Sequence, residues 1–474
     1  MAPQFRARCM TVKAIMPVRM INLVAPLPHK GTAMRIADTA GSAPVRSGAV
    51  SPLGDRQGDL DSATPTPPTR VTPGIRTSTT ATRTTTTSTT TAAPEPSADD
   101  PRHPAEFSFG DLVEAYLDCR RTKRNSASAL AFEQALEHNL ATLHDELHAG
   151  TYRPGPSICF IITRPKVREV WAAQFRDRIV HHLLYRKIGP RFEAGFIADS
   201  CACIPGRGTL YAAQRLDAKV RSQTQNWSHP GHYLKLDLAN FFVSIDKRIV
   251  AAQLTRRISE PWWQQLALDI LFHDPRLNVV TQGRPDEFAR VPAHKSLFNQ
   301  DADHGLPIGN LSSQFFANVL LDALDQYIKH TLRARHYIRY VDDMVLLHES
   351  ADWLNQAKAN IDIWLPQHLH LAINPHKTIL QPIDRGIDFV GQVIRPWHRT
   401  LRRRTYHDAL RRVATMPAEG LFQTANSYFG LMRQSTHSHT DRARLANLLR
   451  HRGHTIAGAL TKTYRTHPQG EHRS

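Results

Sequence analysis

Ile338-Arg339-Tyr340-Val341-Asp342-Asp343-Met344-Val345-Leu346-Leu347 is the stretch whose reading decides the fold. Two β-rich runs flank a pair of adjacent carboxylates. The pattern predicts a hairpin with Asp342-Asp343 at its tip. Adjacent carboxylates repel, so a tight turn that holds both concentrates negative charge. An isolated Asp-Asp is usually a solvated turn, but these flanks are strongly apolar and place the turn on a core sheet. A second run, His232-Tyr233-Leu234-Lys235-Leu236-Asp237-Leu238-Ala239-Asn240-Phe241-Phe242, leads an apolar-rich strand into a third carboxylate and then an aromatic pair. Three acids on neighbouring strand ends make an oxygen-ligand site for Mg²⁺. Two such ions about 4 Å apart activate a 3′-hydroxyl and stabilise leaving pyrophosphate.

The rest of the composition bounds the setting. The chain has 474 residues, with 60 Lys+Arg against 42 Asp+Glu, a formal charge of +18. Its length suggests two or three domains. A hydrophobic content of 41 % supplies a core, which excludes a wholly disordered chain and a small disulfide scaffold. The five cysteines, Cys9, Cys119, Cys159, Cys201 and Cys203, are few, odd in number and scattered. They argue for a reducing compartment and a cytoplasmic location. Cys201-Ala202-Cys203 is too tightly spaced for a zinc knuckle. No apolar run approaches the roughly 20 residues of a bilayer span, so no membrane partner is expected. The positive excess points to a polyanionic partner, most simply nucleic acid. It does not say whether that partner is bound, cut or copied.

The charge is unevenly spread. Residues 1–104 hold 12 Lys+Arg and 7 Asp+Glu, and 11 of the 15 residues from Thr77 to Thr91 are Thr, with Pro on both sides. Nothing there repeats at a helical or strand period, so a disordered extension is expected. Its start, with Arg6, Arg8, Lys13 and Arg19, faintly resembles a targeting peptide but lacks a continuous apolar stretch; an over-long start is the alternative. Residues 397–474 hold 14 Lys+Arg and 4 Asp+Glu, a net +10. Arg402-Arg403-Arg404, Arg411-Arg412, Arg442, Arg444, Arg450 and Arg452 alternate with Leu410, Leu431, Leu445, Leu448 and Leu449. That pattern predicts amphipathic helices whose basic side grips a nucleic-acid backbone.

Between these ends, Phe107 to Leu147 reads as helical and Ile158–Ile162 as a buried strand. A turn at Arg164-Pro165-Lys166, a short strand at Arg168–Val170 and a helix over Phe175–Tyr185 follow. His181-His182 and His437-Ser438-His439 lack a third spaced ligand and read as surface or nucleic-acid-contacting histidines.

Tyr340-Val341-Asp342-Asp343 resembles the Tyr-x-Asp-Asp box of reverse transcriptases, and Asp237 to Phe242 resembles their first palm motif. The resemblance implies an α+β right-hand polymerase. Fingers would occupy 105–231, a ferredoxin-like palm 232–395 and a small basic α-helical thumb 396–474, after the extension 1–104. It implies Asp237, Asp342, Asp343 and Lys377 as catalytic residues, and Asp237, Leu238, Asp342 and Asp343 as the metal positions for two Mg²⁺, a role Mn²⁺ can also fill. Phe242 matches the aromatic gate that excludes a ribose 2′-hydroxyl. Lys377, in Asn374-Pro375-His376-Lys377-Thr378, resembles the lysine near the triphosphate. Lys166 and Arg168 fall in a segment that resembles the fingers motifs and would contact triphosphate, and Tyr340 joins the substrate-binding set. Gly206-Arg207-Gly208-Thr209 resembles the template-facing loop, and Gly386–Gly391 the primer grip, with Val390 a departure. Implied partners are template RNA, the RNA–DNA duplex and dNTPs. No zinc-spaced Cys pairs, His-Asn-His endonuclease or separate RNase H region is legible.

Gly305-Leu306-Pro307-Ile308-Gly309-Asn310-Leu311-Ser312-Ser313-Gln314 refines the resemblance. Group II intron and retron enzymes usually carry Gln-Gly-x-x-x-Ser-Pro here; Ile308 and Gln314 instead resemble diversity-generating retroelement enzymes. Those copy a template RNA with frequent errors opposite adenine and are accompanied by a small basic accessory protein. Ile308 would remove a polar contact to the incoming nucleotide and weaken selection for base-pair geometry. Gly309 would let backbone approach the templating pair, and Ser312 would cap the following helix. Two alternatives stand beside this reading: an antiphage-defence or other bacterial retroelement reverse transcriptase, and a non-catalytic nucleic-acid-binding protein on a polymerase scaffold. The complete acids count against the last.

Overall fold

A computed structural model describes residues 105–121, 126–164 and 166–464. The Thr/Pro-rich segment, Cys9 and Pro165 lie outside them. The described part opens with α1 (Phe109–Arg121), α2 (Ala127–Glu133) and α3 (Leu136–His148), followed by β1 (Ser157–Ile162) and β2 (Arg168–Ala172). The single helical run expected over 107–147 is thus three helices. Ser126 is the N-cap of α2, its side chain accepting from the Ala129 amide, which starts a new helix inside the periodic stretch. Next come α4 (Phe175–Glu193), α5 (Thr209–Gln223), β3 (His232–Asp237), α6 (Phe241–Ser244), α7 (Lys247–Arg257) and α8 (Pro261–Phe272). Then follow β4 (Val279–Gln282), α9 (Pro285–Ala289), α10 (Leu311–Gln326), β5 (His336–Tyr340), β6 (Asp343–His348) and α11 (Ala351–Leu369). The remainder is β7 (Ile379–Pro382), β8 (Ile387–Phe389), β9 (Gln392–Arg395), β10 (His398–Leu401), α12 (Arg403–Thr415), α13 (Leu421–Met432) and α14 (His439–His451).

Helices and strands are mixed, and the sheet that matters is four-stranded, in the order β5-β6-β3-β7. All its pairings are antiparallel. In β3, β5 and β6 buried apolar residues occupy both alternating sets of positions because both faces are covered. Leu234, Leu236, Met344 and Leu346 face the large helical core. Tyr233, Ile338, Val345 and Leu347 face a second cluster with Leu216 and Val220 of α5 and Phe389 and Ile394 of the β8–β9 hairpin. The period of two in a strand sorts the side chains into these layers. Two small three-stranded sheets, β2-β1-β4 and β10-β9-β8, flank it.

The basic C-terminal helices form as expected. Ala409, Val413, Leu421, Ala425, Phe429, Met432, Leu445, Ala446 and Leu449 make a core of their own. On α12 the opposite side exposes Arg403, Arg404, Arg411 and Arg412. Among the described residues no helix is long and apolar enough to cross a membrane. Cys159, Cys201 and Cys203 are thiols outside any disulfide, so Cys201 and Cys203 are not joined to each other.

Candidate active site

The register of the central sheet assembles the acids. Asp237, the last residue of β3, stands opposite Asp343, the first of β6, and Asp343 stands opposite Tyr340, the last of β5. Period-two alternation then puts Asp237, Asp343, Tyr340 and Lys235 on one face. The hairpin differs slightly from expectation: its two-residue turn is Val341-Asp342, and Asp343 already belongs to the strand. Val341 takes a φ of 56°. Two-residue hairpin turns need a positive φ to follow the sheet's twist, and a β-branched residue adopts it only under strain. A strained turn thus holds Asp342 next to the paired Asp237 and Asp343.

Burial and the charge of neighbouring carboxylates hold Asp342 and Asp343 back from ionising. Asp342 is raised above the ordinary carboxylate range by burial first and by the charge of Asp237 second. Asp343 is pushed up to about 6 by burial, with Asp342 and Asp237 adding to the rise and Lys235 opposing it. Two ammonium groups relieve the crowding. Lys235 Nζ lies 3.1 Å from Asp343 Oδ2 and donates to the Asp388 carbonyl at 2.7 Å. Lys377 Nζ donates to Asp237 Oδ1. The other oxygen of Asp343, Oδ1, is buried with no hydrogen-bond partner. Carboxylate oxygens, one of them orphaned, are the donor set a hard divalent cation takes. Among the described residues no three acidic, His or Cys side chains are already gathered as a metal cage, and the lysines carry the compensating charge. Leu238, the residue after Asp237, is 1 % exposed and bridges to Ile373.

Cations converge on the same place. Lys377 ends a short helical turn, Pro375–Lys377, whose base is tied to β3 by the Asn374 amide donating to the Asp237 carbonyl at 2.7 Å. Asn374 itself caps that turn. Lys166 and Arg168 are both exposed, before and at the start of β2. Partial burial, then repulsion from Lys377 and Arg168, lowers Lys166, while Asp237 draws it the other way. Arg168 and Lys377 in turn favour the ionised form of Asp342. The two basic residues named from the fingers-like segment therefore act electrostatically on acids about 70 to 175 positions away in sequence.

The Gly309 loop is held against β2. The Trp171 amide donates to the Ile308 carbonyl at 2.7 Å, and the Ala173 amide donates to Asn310 Oδ1 at 3.1 Å. Gly309 has a φ of 136°, and a Cβ there would lie 2.5 Å from the Trp171 carbonyl oxygen. The glycine is thus required by β2's backbone, a reason the templating-pair expectation did not include. Ser312 does not cap α10: the N-cap is Asn310, whose side chain is turned to Ala173, and Ser312 is buried near His181, 3.4 Å from its Nδ1. Gln314 is half-buried on the first turn of α10 and joins none of these bonds. Phe242 is half-buried in α6, and its carbonyl accepts from the Leu306 amide at 2.8 Å, tying the aromatic pair to the same loop.

Some expectations change. His181 is buried, and that burial drives it down to about 3, so it is a neutral core histidine and not a surface contact. Two site residues escaped the sequence reading. Lys235 looked like a strand lysine. Arg339 is 1 % exposed; it donates to Asp325 Oδ1 at 2.8 Å and Oδ2 at 2.7 Å, and to the Val341 carbonyl in the turn at 3.1 Å. The available signal was a charge inside an apolar strand run, which demands a buried partner.

An acid cluster on one sheet face, with lysines and an arginine converging on it, has the layout of a nucleotidyltransferase that handles polyphosphate. Residues 164–394 match the family model for reverse transcriptase (RNA-dependent DNA polymerase). This segment is therefore a reverse transcriptase domain, of the RNA-directed DNA polymerase class of nucleotidyltransferase. Protein YkfC of Escherichia coli (strain K12) is 24 % identical over 336 residues, 62 % of this chain and 79 % of that protein. Among solved structures, telomerase from Candida albicans with a fragment of telomeric RNA aligns at 10 % identity and a TM-score of 0.38, over 62 % of this chain and 55 % of that one. Apo telomerase from Candida tropicalis, truncated of its C-terminal domain, aligns at 12 % identity and 0.37, over 50 % and 53 %. The chain spans about half the length of these two structures.

Proposed function

We propose that the chain synthesises DNA on an RNA template from dNTPs, with Asp237, Asp342 and Asp343 at the reaction centre. One observation carries the reading: within the reverse transcriptase domain, β-pairing sets Asp237 against Asp343 with Asp342 in the adjoining turn. Asp237, Asp342, Asp343 and the Leu238 carbonyl would hold the divalent ions, Mg²⁺ or Mn²⁺. Bound there, such ions supply charge stabilisation at the attacking and leaving oxygens. The chain's own groups do the rest. Lys166 and Arg168 orient the triphosphate. Lys377 stands beside Asp237 to neutralise charge that develops on the leaving pyrophosphate. Phe242 would set its ring against a 2′-hydroxyl.

On this reading the fingers are 105–231, the palm 232–395 and the thumb 396–474. The arginine-lined side of α12 then holds the RNA–DNA duplex by its phosphates. Ile308 and Gln314 favour the mutagenic, diversity-generating retroelement type. The Ile308 carbonyl accepts from the Trp171 amide, which holds this backbone position against β2, the strand that bears Arg168. The test is dNTP incorporation on primed RNA: Asp342→Asn with Asp343→Asn should abolish it, and retained synthesis refutes the assignment. Ile308→Gln should reduce misincorporation opposite adenine; an unchanged error spectrum removes the mutagenic reading.

A further inference from the structure

Residues 274–304, between α8 and the Gly309 loop, are fastened to the site at several points. Glu169, next to Arg168 on β2, is 5 % exposed. Its Oε2 accepts from the Leu297 amide at 2.8 Å and from Trp171 Nε1 at 3.3 Å. Phe298 lays its ring 4.7 Å from that of Trp171. Arg276 donates to the Leu297 carbonyl at 3.2 Å and to the Asp301 carbonyl at 3.1 Å, and is itself paired with Asp274. β4 pairs with β1 in the same small sheet. The carboxylate of Glu169 is thus the node of a frame. One residue away on one side is Arg168; two residues before Leu297 is Lys295, displayed at the end of a short helical turn, Ala293–Lys295.

Lys295 is exposed, and its charge adds to the repulsion that Lys377 and Arg168 exert on Lys166. Among the described residues none of Lys166, Arg168 and Lys295 has a carboxylate within ion-pair distance. Cations held this close repel one another, and the acids nearby offset the repulsion only in part, so a polyanion that bridges the cations is favoured.

We propose that Lys295 is a further substrate-binding residue of this site, one that contacts the triphosphate of the incoming nucleotide alongside Lys166 and Arg168. This rests on the polymerase reading. It adds a cation supplied by the 274–304 segment and held in place by Glu169. The chemistry it recognises is polyphosphate, and the base is not read.

The experiment uses the full chain with primed RNA and a dNTP titration. Lys295→Ala should raise KM for dNTP about tenfold, leave kcat within about twofold and leave the affinity for a labelled RNA–DNA duplex unchanged. Lys295→Arg should restore most of the KM, and the defect should shrink in high salt. An unchanged KM overturns the assignment. Weakened duplex affinity with unchanged KM also overturns it, and places Lys295 on the nucleic-acid backbone instead. No incorporation by the unaltered chain overturns the polymerase reading and this inference with it, whereas incorporation with normal KM in Lys295→Ala sinks Lys295 alone.

Discussion

Arg339 and Asp325 form a two-pronged ion pair, at 2.8 and 2.7 Å, with side chains only 1 % and 0 % exposed. The pair joins β5 to α10. Asp325 also accepts from the Tyr337 hydroxyl at 2.7 Å, and Arg339 reaches Ser200 Oγ at 2.9 Å and the Val341 carbonyl at 3.1 Å. One guanidinium therefore links the helix after the Gly309 loop to the turn that carries Asp342.

Breaking that pair on one side should be severe. Arg339→Met leaves a buried carboxylate and the Val341 carbonyl without their donor, a loss of about 3–5 kcal/mol. Arg339→Met with Asp325→Leu should recover most of it, because neither charge is then stranded. Chemical denaturation of the two singles and the double reads the cycle. A double variant as unstable as the sum of the singles shows that the pair is not the unit.

Lys377 touches Asp237 directly, so its removal should reach the chemistry more than the fold. Its side chain is 43 % exposed, which makes Lys377→Ala a mild change for stability. The expected result is a kcat about 10²-fold lower on primed RNA with near-normal duplex affinity. Normal turnover would leave Lys377 as a surface counter-ion only.

The acid limb of activity should report Asp343. A divalent cation needs the ionised carboxylate, and burial holds Asp343 at about 6, so incorporation should fall as the pH drops through that value. Lys235 favours the ionised form; Lys235→Met should move the limb to higher pH. A pH profile of kcat/KM compares the two proteins, and a limb that stays in place excludes Asp343 as its source. Stability has the opposite sign for this group. With a folded value above 3.8, its contribution is full at low pH and declines as the pH rises through about 6.

His181 acts in the other direction, as do His182 and His336, which burial holds down to about 4. Burial holds His181 neutral, down to about 3 against the ordinary 6.5, so the unfolded chain binds the extra proton. Its stability contribution is full above 6.5 and is lost as pH falls toward 3, at about 1.4 kcal/mol per unit. Urea unfolding at pH 7.5 and pH 5 should show a drop, and His181→Gln should lessen it by about the share of one such histidine.

Gly309→Ala should fail for backbone reasons. The new Cβ would lie 2.5 Å from the Trp171 carbonyl oxygen, at a φ of 136°. A loss of at least about 1–3 kcal/mol is expected, with weaker incorporation, read by thermal unfolding beside activity. An alanine variant with wild-type stability would mean that β2 yields easily.

Much of this was legible in the chain itself. The apolar runs around Asp237 and Asp342 announced strands ending in acids, since local β-preference and burial are written residue by residue. Basic amphipathic helices in the C-terminal region followed from charge and Leu spacing, although α13 between them carries no Lys or Arg. Local signals also misled: Ser312 read as a cap, because a cap is chosen by where a side chain can turn, and Asn310 had a competing partner in Ala173. What tertiary structure alone decided is pairing. Which acid faces which depends on strand register, which couples residues about a hundred positions apart. Lys235 against Asp343, Arg339 against Asp325 and Glu169 holding the Lys295 segment are all long-range electrostatic matches. Their energy exists only once burial has removed water from between the partners, so no local pattern encodes them.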